Sequence, residues 1–263
     1  MKNLLKTLFG GTVAAWEMLI DLPVPSFCRR LFYSPCISPS ALAAGFTVVG
    51  FLIGLFIALI GGILNISWLN RYVAAALFAV AAVIISEILD SGRGLRLLIS
   101  GVSLRLGGAG WIDSVLRARD RDGSFEKSTG SVAAMTVILA EIVCFGMLAY
   151  YRSALWCVAV FTGTFVIQML FATLDRGYGE VPYINIEPEK MRDIWKLPAV
   201  IGVLTVLIFP AAGIVASAIV AGLGQMIHKN FVLTGTPVTA DVITLCGKIT
   251  QLVLLLCGLV FVI

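Results

Sequence analysis

The sequence predicts an all-α integral membrane protein: a bundle of six or seven transmembrane helices with an interfacial N-terminal helix. Three observations predict it. The 263 residues are 59% hydrophobic and only 13% charged, with a mean hydropathy of +1.00, too little polar sequence to coat a soluble globule. The apolar residues come in long blocks rather than amphipathic stripes. The polar residues collect in a few segments between those blocks. The chain therefore reads as one polytopic domain, 1–263.

The N-terminal segment, 1–40, carries Lys2 and Lys6 before a short apolar stretch that Trp16 and Glu17 interrupt. No small-residue cleavage site follows, so an amphipathic helix at the membrane interface is expected rather than a signal peptide. A hydrocarbon core of about 30 Å takes roughly 20 apolar residues in helical form. By that rule the spans are 43–66, 72–90, 132–151, 154–174 and about 242–263. The block 197–227 makes either two crossings or one very long one. Phe209-Pro210, followed by Ala211-Ala212-Gly213, marks the break that two crossings require.

Three polar segments lie between the spans. The first, 91–131, sets Arg93, Arg96, Arg105, Arg117, Arg119 and Arg121 against Asp113, Asp120, Asp122 and Glu126. Its arginine excess places it in the cytoplasm by the positive-inside rule, at the cell (inner) membrane. The others are 175–196, mixed in charge and broken by Gly and Pro, and 228–241. Counting crossings puts all three on one side if the chain breaks at Pro210, and the third on the opposite side if it does not. The cysteines at 28, 36, 144, 157, 246 and 257 lack CxxC spacing. Neither a disulfide framework nor a zinc site is inferred from them.

Charge close to an apolar span is costly unless it is paired, hydrated or used. Glu87 and Asp90 stand one helical turn apart and share a helix face. They are either a pair of metal ligands or a solvated helix end with Asp90 bonded to Arg93. Arg117, Arg119 and Arg121 either grip phosphate, which suits the guanidinium fork, or mark the cytoplasmic face beside anionic headgroups. The loop glycines read as flexible connections, since no phosphate-binding loop pattern surrounds them. His228, the only histidine, reads as structural. Asp241 is either a functional carboxylate or the N-cap of the last helix.

Leu22-Pro23-Val24-Pro25 precedes the first apolar span, an apolar helix runs into Arg93–Gly101, FEKSTGSVAAM follows the Arg-rich stretch, and Thr239 and Asp241 stand just before the last span. In order and spacing these features, over most of the chain, resemble the adenosylcobinamide-GDP ribazoletransferase, or cobalamin synthase, family. That family opens with a Leu-Pro-Val-Pro-like motif and has its aspartate-rich Asp-Gly-Leu-Ala-Asp-x-x-Asp-Gly segment at the place of Arg93–Gly101. It has an arginine-containing loop and a helix where FEKSTGSVAAM stands, and Thr239 and Asp241 fall at the Thr and Asp of its last turn.

The resemblance implies a membrane transferase that moves a corrinoid phosphoryl group from a nucleotide-activated corrinoid to ribazole with Mg²⁺. Under it, Asp241 is the catalytic candidate and Glu87, Asp90 and Glu126 are the metal-ligand candidates. Substrate would be held by Arg93, Arg96, Arg117, Arg119, Arg121 and Thr239. The bilayer, a nucleotide-activated corrinoid and ribazole are then the partners, and nucleic acid is not one.

The departures from the family pattern are chemical. Its three motif aspartates correspond here to Arg93, Leu97 and Ser100, none of which replaces a carboxylate on Mg²⁺. Glu141 stands where the family tends to have a lysine, and Lys248 and Gln251 where it tends to have acids. A Glu141–Lys248 pair with its partners exchanged would preserve a buried ion pair. The expectation is accordingly a divergent relative of doubtful catalytic competence, and the alternative is a non-catalytic one that binds a corrinoid, a nucleotide or a protein. A transporter is disfavoured because no inverted repeat is visible.

Overall fold

The computed structural model describes residues 2–20, 39–66, 69–89, 94–99, 127–174, 196–227 and 240–263, with isolated residues between 23 and 30. The described residues are helical throughout, joined by short turns. The longer helices are α1 (Lys2–Leu19), α2 (Pro39–Ile66), α3 (Arg71–Leu89), α4 (Lys127–Tyr150), α5 (Trp156–Leu174), α6 (Lys196–Ile208), α7 (Pro210–Ile227) and α8 (Ala240–Phe261).

Among the described residues three helices are long and apolar enough to cross a membrane: Ser40–Ile66, Arg71–Leu89 and Ile243–Phe261. Shorter apolar helices cover Met135–Tyr150, Trp156–Leu170, Lys196–Ile208 and Pro210–Met226. The distribution of polarity has the sense of a membrane protein. Large apolar side chains face outward at helical spacing, among them Val73, Leu77, Val80, Ile84 and Ile88 on α3, and Met135, Leu139, Val143 and Met147 on α4. Polar side chains face inward, including Thr47, Ser86, Glu141, Thr164, Lys248, Thr250 and Gln251. In water this arrangement would leave a very large apolar surface exposed; in lipid it is the arrangement that satisfies polar groups inside the bundle.

Helix α5 is the axis around which the others gather. It packs on α2, α7 and α8, and it is buried on nearly every side from Trp156 to Met169. A helix that is apolar all round belongs in such a position. Trp156, fully buried, donates its indole N–H to the Leu254 carbonyl of α8 at 3.0 Å. On α2, Gly50 and Gly54 let the α5 backbone approach closely. A Cβ on Gly54 would stand 2.6 Å from the Val158 Cα, and one on Gly50 would stand 2.7 Å from the Phe161 carbonyl oxygen. Close backbone approach through small residues is the main means of packing helices where surrounding lipid is as apolar as the helix faces.

Helix α1 docks on α2 in the same way, with Gly11 against Ala41 and Gly45. Its Ala15 is buried in the main core. An interfacial helix was expected here; the structure adds that one of its faces is covered by protein.

Paired residues fix the helix directions. On α3 and α4, Tyr72 stacks near Tyr150 and Phe78 near Phe145, so these two run antiparallel. Gly50 and Gly54 against Phe161 and Cys157 make α2 and α5 antiparallel. Gly202 against Ser217 and Gly213 against Val206 make α6 and α7 an antiparallel hairpin. Gln168 against Gly247 and Trp156 against Gly258 oppose α5 and α8.

The expected break at Pro210 is therefore a helix–turn–helix with Phe209 at its corner. Proline, which has no N–H to continue α6, starts α7 instead. The helix ends that lead into 91–131, 175–196 and 228–241 all lie at one end of the bundle.

The other end carries the tight turns. Helix α4 stops in a left-handed cap at Arg152, φ 60°, where the Ser153 N–H reaches the Leu148 carbonyl at 2.7 Å and the Arg152 N–H the Ala149 carbonyl at 2.9 Å. This closes the helix in the Schellman manner with arginine in the place where glycine is usual. Beside it the Arg71 guanidinium lies 4.1 Å from the Tyr150 ring centroid, with Tyr72 and Tyr151 stacked nearby. Tyrosine and arginine gathered at one level have the character of an interfacial belt.

Candidate functional site

Three helices meet around one ammonium group. Helix α3 turns small residues inward, Ala74, Ala75, Ala79 and Ala82, so α4 comes close and the inward face ends in Ser86 and Glu87. Helix α4 places Glu141 on the same buried face as Phe145 and Leu148. Helix α8 supplies Lys248 and, one turn on, Gln251, both buried.

The Lys248 Nζ lies 2.7 Å from Glu141 Oε1 and also pairs with Glu87 Oε1. The Gln251 carboxamide donates to the Ser86 hydroxyl at 2.9 Å and to Glu141 Oε1 at 3.3 Å. Glu141 and Lys248 are almost completely enclosed, with 0% and 3% of their side chains exposed. Glu87, at 18%, is the member that faces outward.

An ammonium between two carboxylates ties α3, α4 and α8 together. The geometry makes chemical sense for a bundle in lipid, where an unpaired charge would be far more costly than a shared one. With all three groups ionised the cluster holds one more negative than positive charge. Glu87 Oε2 is itself buried and has no hydrogen-bond partner among the described residues.

Residues 94–99 form a short helix next to this cluster. Leu97 and Leu98 pack with Ile167 of α5 and with Ile243 and Leu245 of α8. Leu97, 4% exposed, is thus a packing residue at a place where the resemblance would put a carboxylate. Arg96, on the other side of the same turn, is exposed.

Of the sequence-derived candidates, Glu87 and Arg96 are therefore placed, and Asp241 lies in the first turn of α8 with its side chain outside the described residues. Asp90, Arg93, Arg117, Arg119, Arg121, Glu126 and Thr239 also lie outside them. The Glu141–Lys248 pair is present as expected. Sequence reasoning missed Ser86 and the reach of Glu87 across to α8. The only signal was a polar Ser-Glu step inside an apolar run.

For Mg²⁺, the donors in view do not form a set. Glu87 has its Oε1 on Lys248, position 97 is apolar, and no group of three His, Cys, Asp or Glu assembles among the described residues. The described cysteines, 144, 157, 246 and 257, are free thiols. Compared with known proteins, the chain matches no family model, no curated protein and no solved structure.

Proposed function

We propose that this chain is a membrane bundle of the cobalamin-synthase type that binds a nucleotide-activated corrinoid or a related anion at its loop end without transferring it. In this reading α2 to α8 cross the cell membrane alternately, α6 being the short arm of a hairpin, and the loops 91–131, 175–196 and 228–241 share the cytoplasmic side. The helix directions support it, since the hairpin returns the chain to the side from which α6 starts. The arginine excess of 91–131 supplies both the orientation and the affinity for phosphate.

The observation that carries the proposal is the double engagement of Lys248. A carboxylate held by a buried ammonium is committed to structure, and Glu87 is the one metal-ligand candidate whose side chain is in view. The motif position Leu97, packed against α5 and α8, points the same way. Metal-assisted attack on a pyrophosphate needs carboxylates that are free to hold the metal.

The test is binding of a nucleotide-activated corrinoid by the purified chain, with and without Mg²⁺ and at low and high salt. Binding that weakens as salt screens the arginines and that is indifferent to removal of Mg²⁺ is expected. Binding that requires Mg²⁺ would return the chain to the metal-dependent class.

A further inference from the structure

A second feature stands apart from the charge cluster. Helices α5, α6 and α7, with Leu254 of α8, enclose an apolar groove of about 800 Å³. It is lined largely by small side chains, among them Gly163, Gly202, Ala216 and Gly224. Gly163 and Gly224 sit against the side chains of Leu254 and Leu170, whereas Gly202 opens onto the space. Along α5 the groove runs from Ala159 to Leu170, about 16 Å at 1.5 Å per residue. That is close to half of a hydrocarbon core of about 30 Å, the depth of one leaflet. Its outer rim is formed by Val203 and Leu207, which are 60% and 71% exposed, so the groove is continuous with the outward-facing surface of the bundle.

The polar content is small: Thr162, Thr205, Ser217 and Gln225. Thr162, 5% exposed, lines the groove, and its hydroxyl has no hydrogen-bond partner among the described residues. This is unlike its neighbours. Thr164 and Thr205 donate to the carbonyls of Val160 and Ile201, each at 2.9 Å, the usual resolution for a helical threonine. A buried hydroxyl left unpaired beside an apolar space costs free energy that a ligand carrying an acceptor recovers.

The geometry points to a lipid site: one acyl chain of a diacyl phospholipid lies along the α5–α6–α7 groove, and an ester carbonyl of that lipid accepts a hydrogen bond from the Thr162 hydroxyl. The medium around the bundle supplies the occupant, the length fits one leaflet, and the volume falls within the roughly 300–1,000 Å³ of ordinary ligand sites. The inference rests on membrane insertion of the chain and is independent of the corrinoid reading.

Two substitutions fill the groove without disturbing the backbone. A Cβ at Gly202 meets nothing nearer than the Ser217 hydroxyl at 3.9 Å, so Gly202→Leu extends into the space. Ala199→Phe, from an exposed position on the groove lining, does the same from the edge. Gly222→Leu on α7, where a Cβ would meet nothing within 4 Å, lies off the groove and serves as control.

The experiment is native mass spectrometry of the detergent-purified chain titrated with diacyl phosphatidylethanolamine, with thermal melting as the check on folding. The wild-type chain and Gly222→Leu are expected to retain one tightly held lipid. Gly202→Leu and Ala199→Phe should lose it while melting normally, and Thr162→Val should weaken it about fivefold, as loss of one hydrogen bond implies. Equal retention by the groove-filling variants, or retention of detergent alone by the wild-type chain, would overturn the proposal. Extraction of the chain from membranes by alkaline carbonate would instead show that the bilayer reading itself had failed.

Discussion

Lys248 of α8 and Glu141 of α4 meet at 2.7 Å inside the bundle, 107 residues apart in a chain with few other charges in its apolar runs. Neither residue has water to fall back on, so each defines the position of the other. Removing either partner should strand the other charge and cost about 3–5 kcal/mol, the usual figure for breaking a buried pair. The exchanged variant Glu141→Lys with Lys248→Glu should recover part of that loss. A double-mutant cycle on unfolding in mild detergent reads the coupling, and strictly additive losses would show that the two do not interact.

Glu87 should matter less than Glu141. It is the rim member of the cluster, 18% exposed against 0%, and Lys248 keeps Glu141 when Glu87 is removed. Glu87→Gln is expected to cost about 1.5–3 kcal/mol, the range for one hydrogen bond to a charged group, and Glu141→Gln more. The reverse order in thermal unfolding would place the outward opening of the cluster on the wrong side.

The α2–α5 contact predicts a sharp contrast between glycines of one helix. Gly54→Leu would drive a side chain into the backbone at Cys157 and Val158, whereas Gly62 has nothing within 4 Å of a Cβ. Overpacking of this kind costs about 1–3 kcal/mol and often more where backbone is the obstacle. Gel filtration of Gly54→Leu should show loss of the monodisperse species, and Gly62→Leu should behave as the wild-type chain does.

The loop arrangement is open to chemical labelling. In a background without native thiols, cysteines at Ser114, Asn185 and Thr236 should all react from the cytoplasmic side, and one at Arg152 from the other. Labelling of Thr236 from the side opposite Ser114 would contradict the α6–α7 hairpin as the element that returns the chain.

Much of the bundle was legible because lipid leaves few choices. Helix length follows from bilayer thickness, and α2, α3 and α8 begin and end within a few residues of the expected spans. Pro210 could be read as a corner because a proline has no N–H to donate to the preceding helix turn. Glu141 and Lys248 could be matched because isolated opposite charges in apolar helices have to find each other.

What sequence could not supply is which helices become neighbours. The union of Glu87 with Lys248 depends on α3 standing beside α8, and the burial of Leu97 depends on residues 94–99 folding back onto α5 and α8. Helical periodicity describes the face of one helix and is silent about the partner of that face. The docking of α1 on α2 through Gly11 and Gly45 was hidden for the same reason, since glycine contributes no apolar signal to a pattern.

We propose that this bundle uses its buried inter-helix charge for structure and performs no metal-dependent transfer. Product formation from an activated corrinoid and ribazole phosphate, at saturating Mg²⁺, tests it most directly, with Asp241→Asn measured alongside. No turnover above background is expected for either chain. Robust turnover in the wild-type chain that disappears in Asp241→Asn would contradict it, and would assign Asp241 to a relocated metal site at the head of α8.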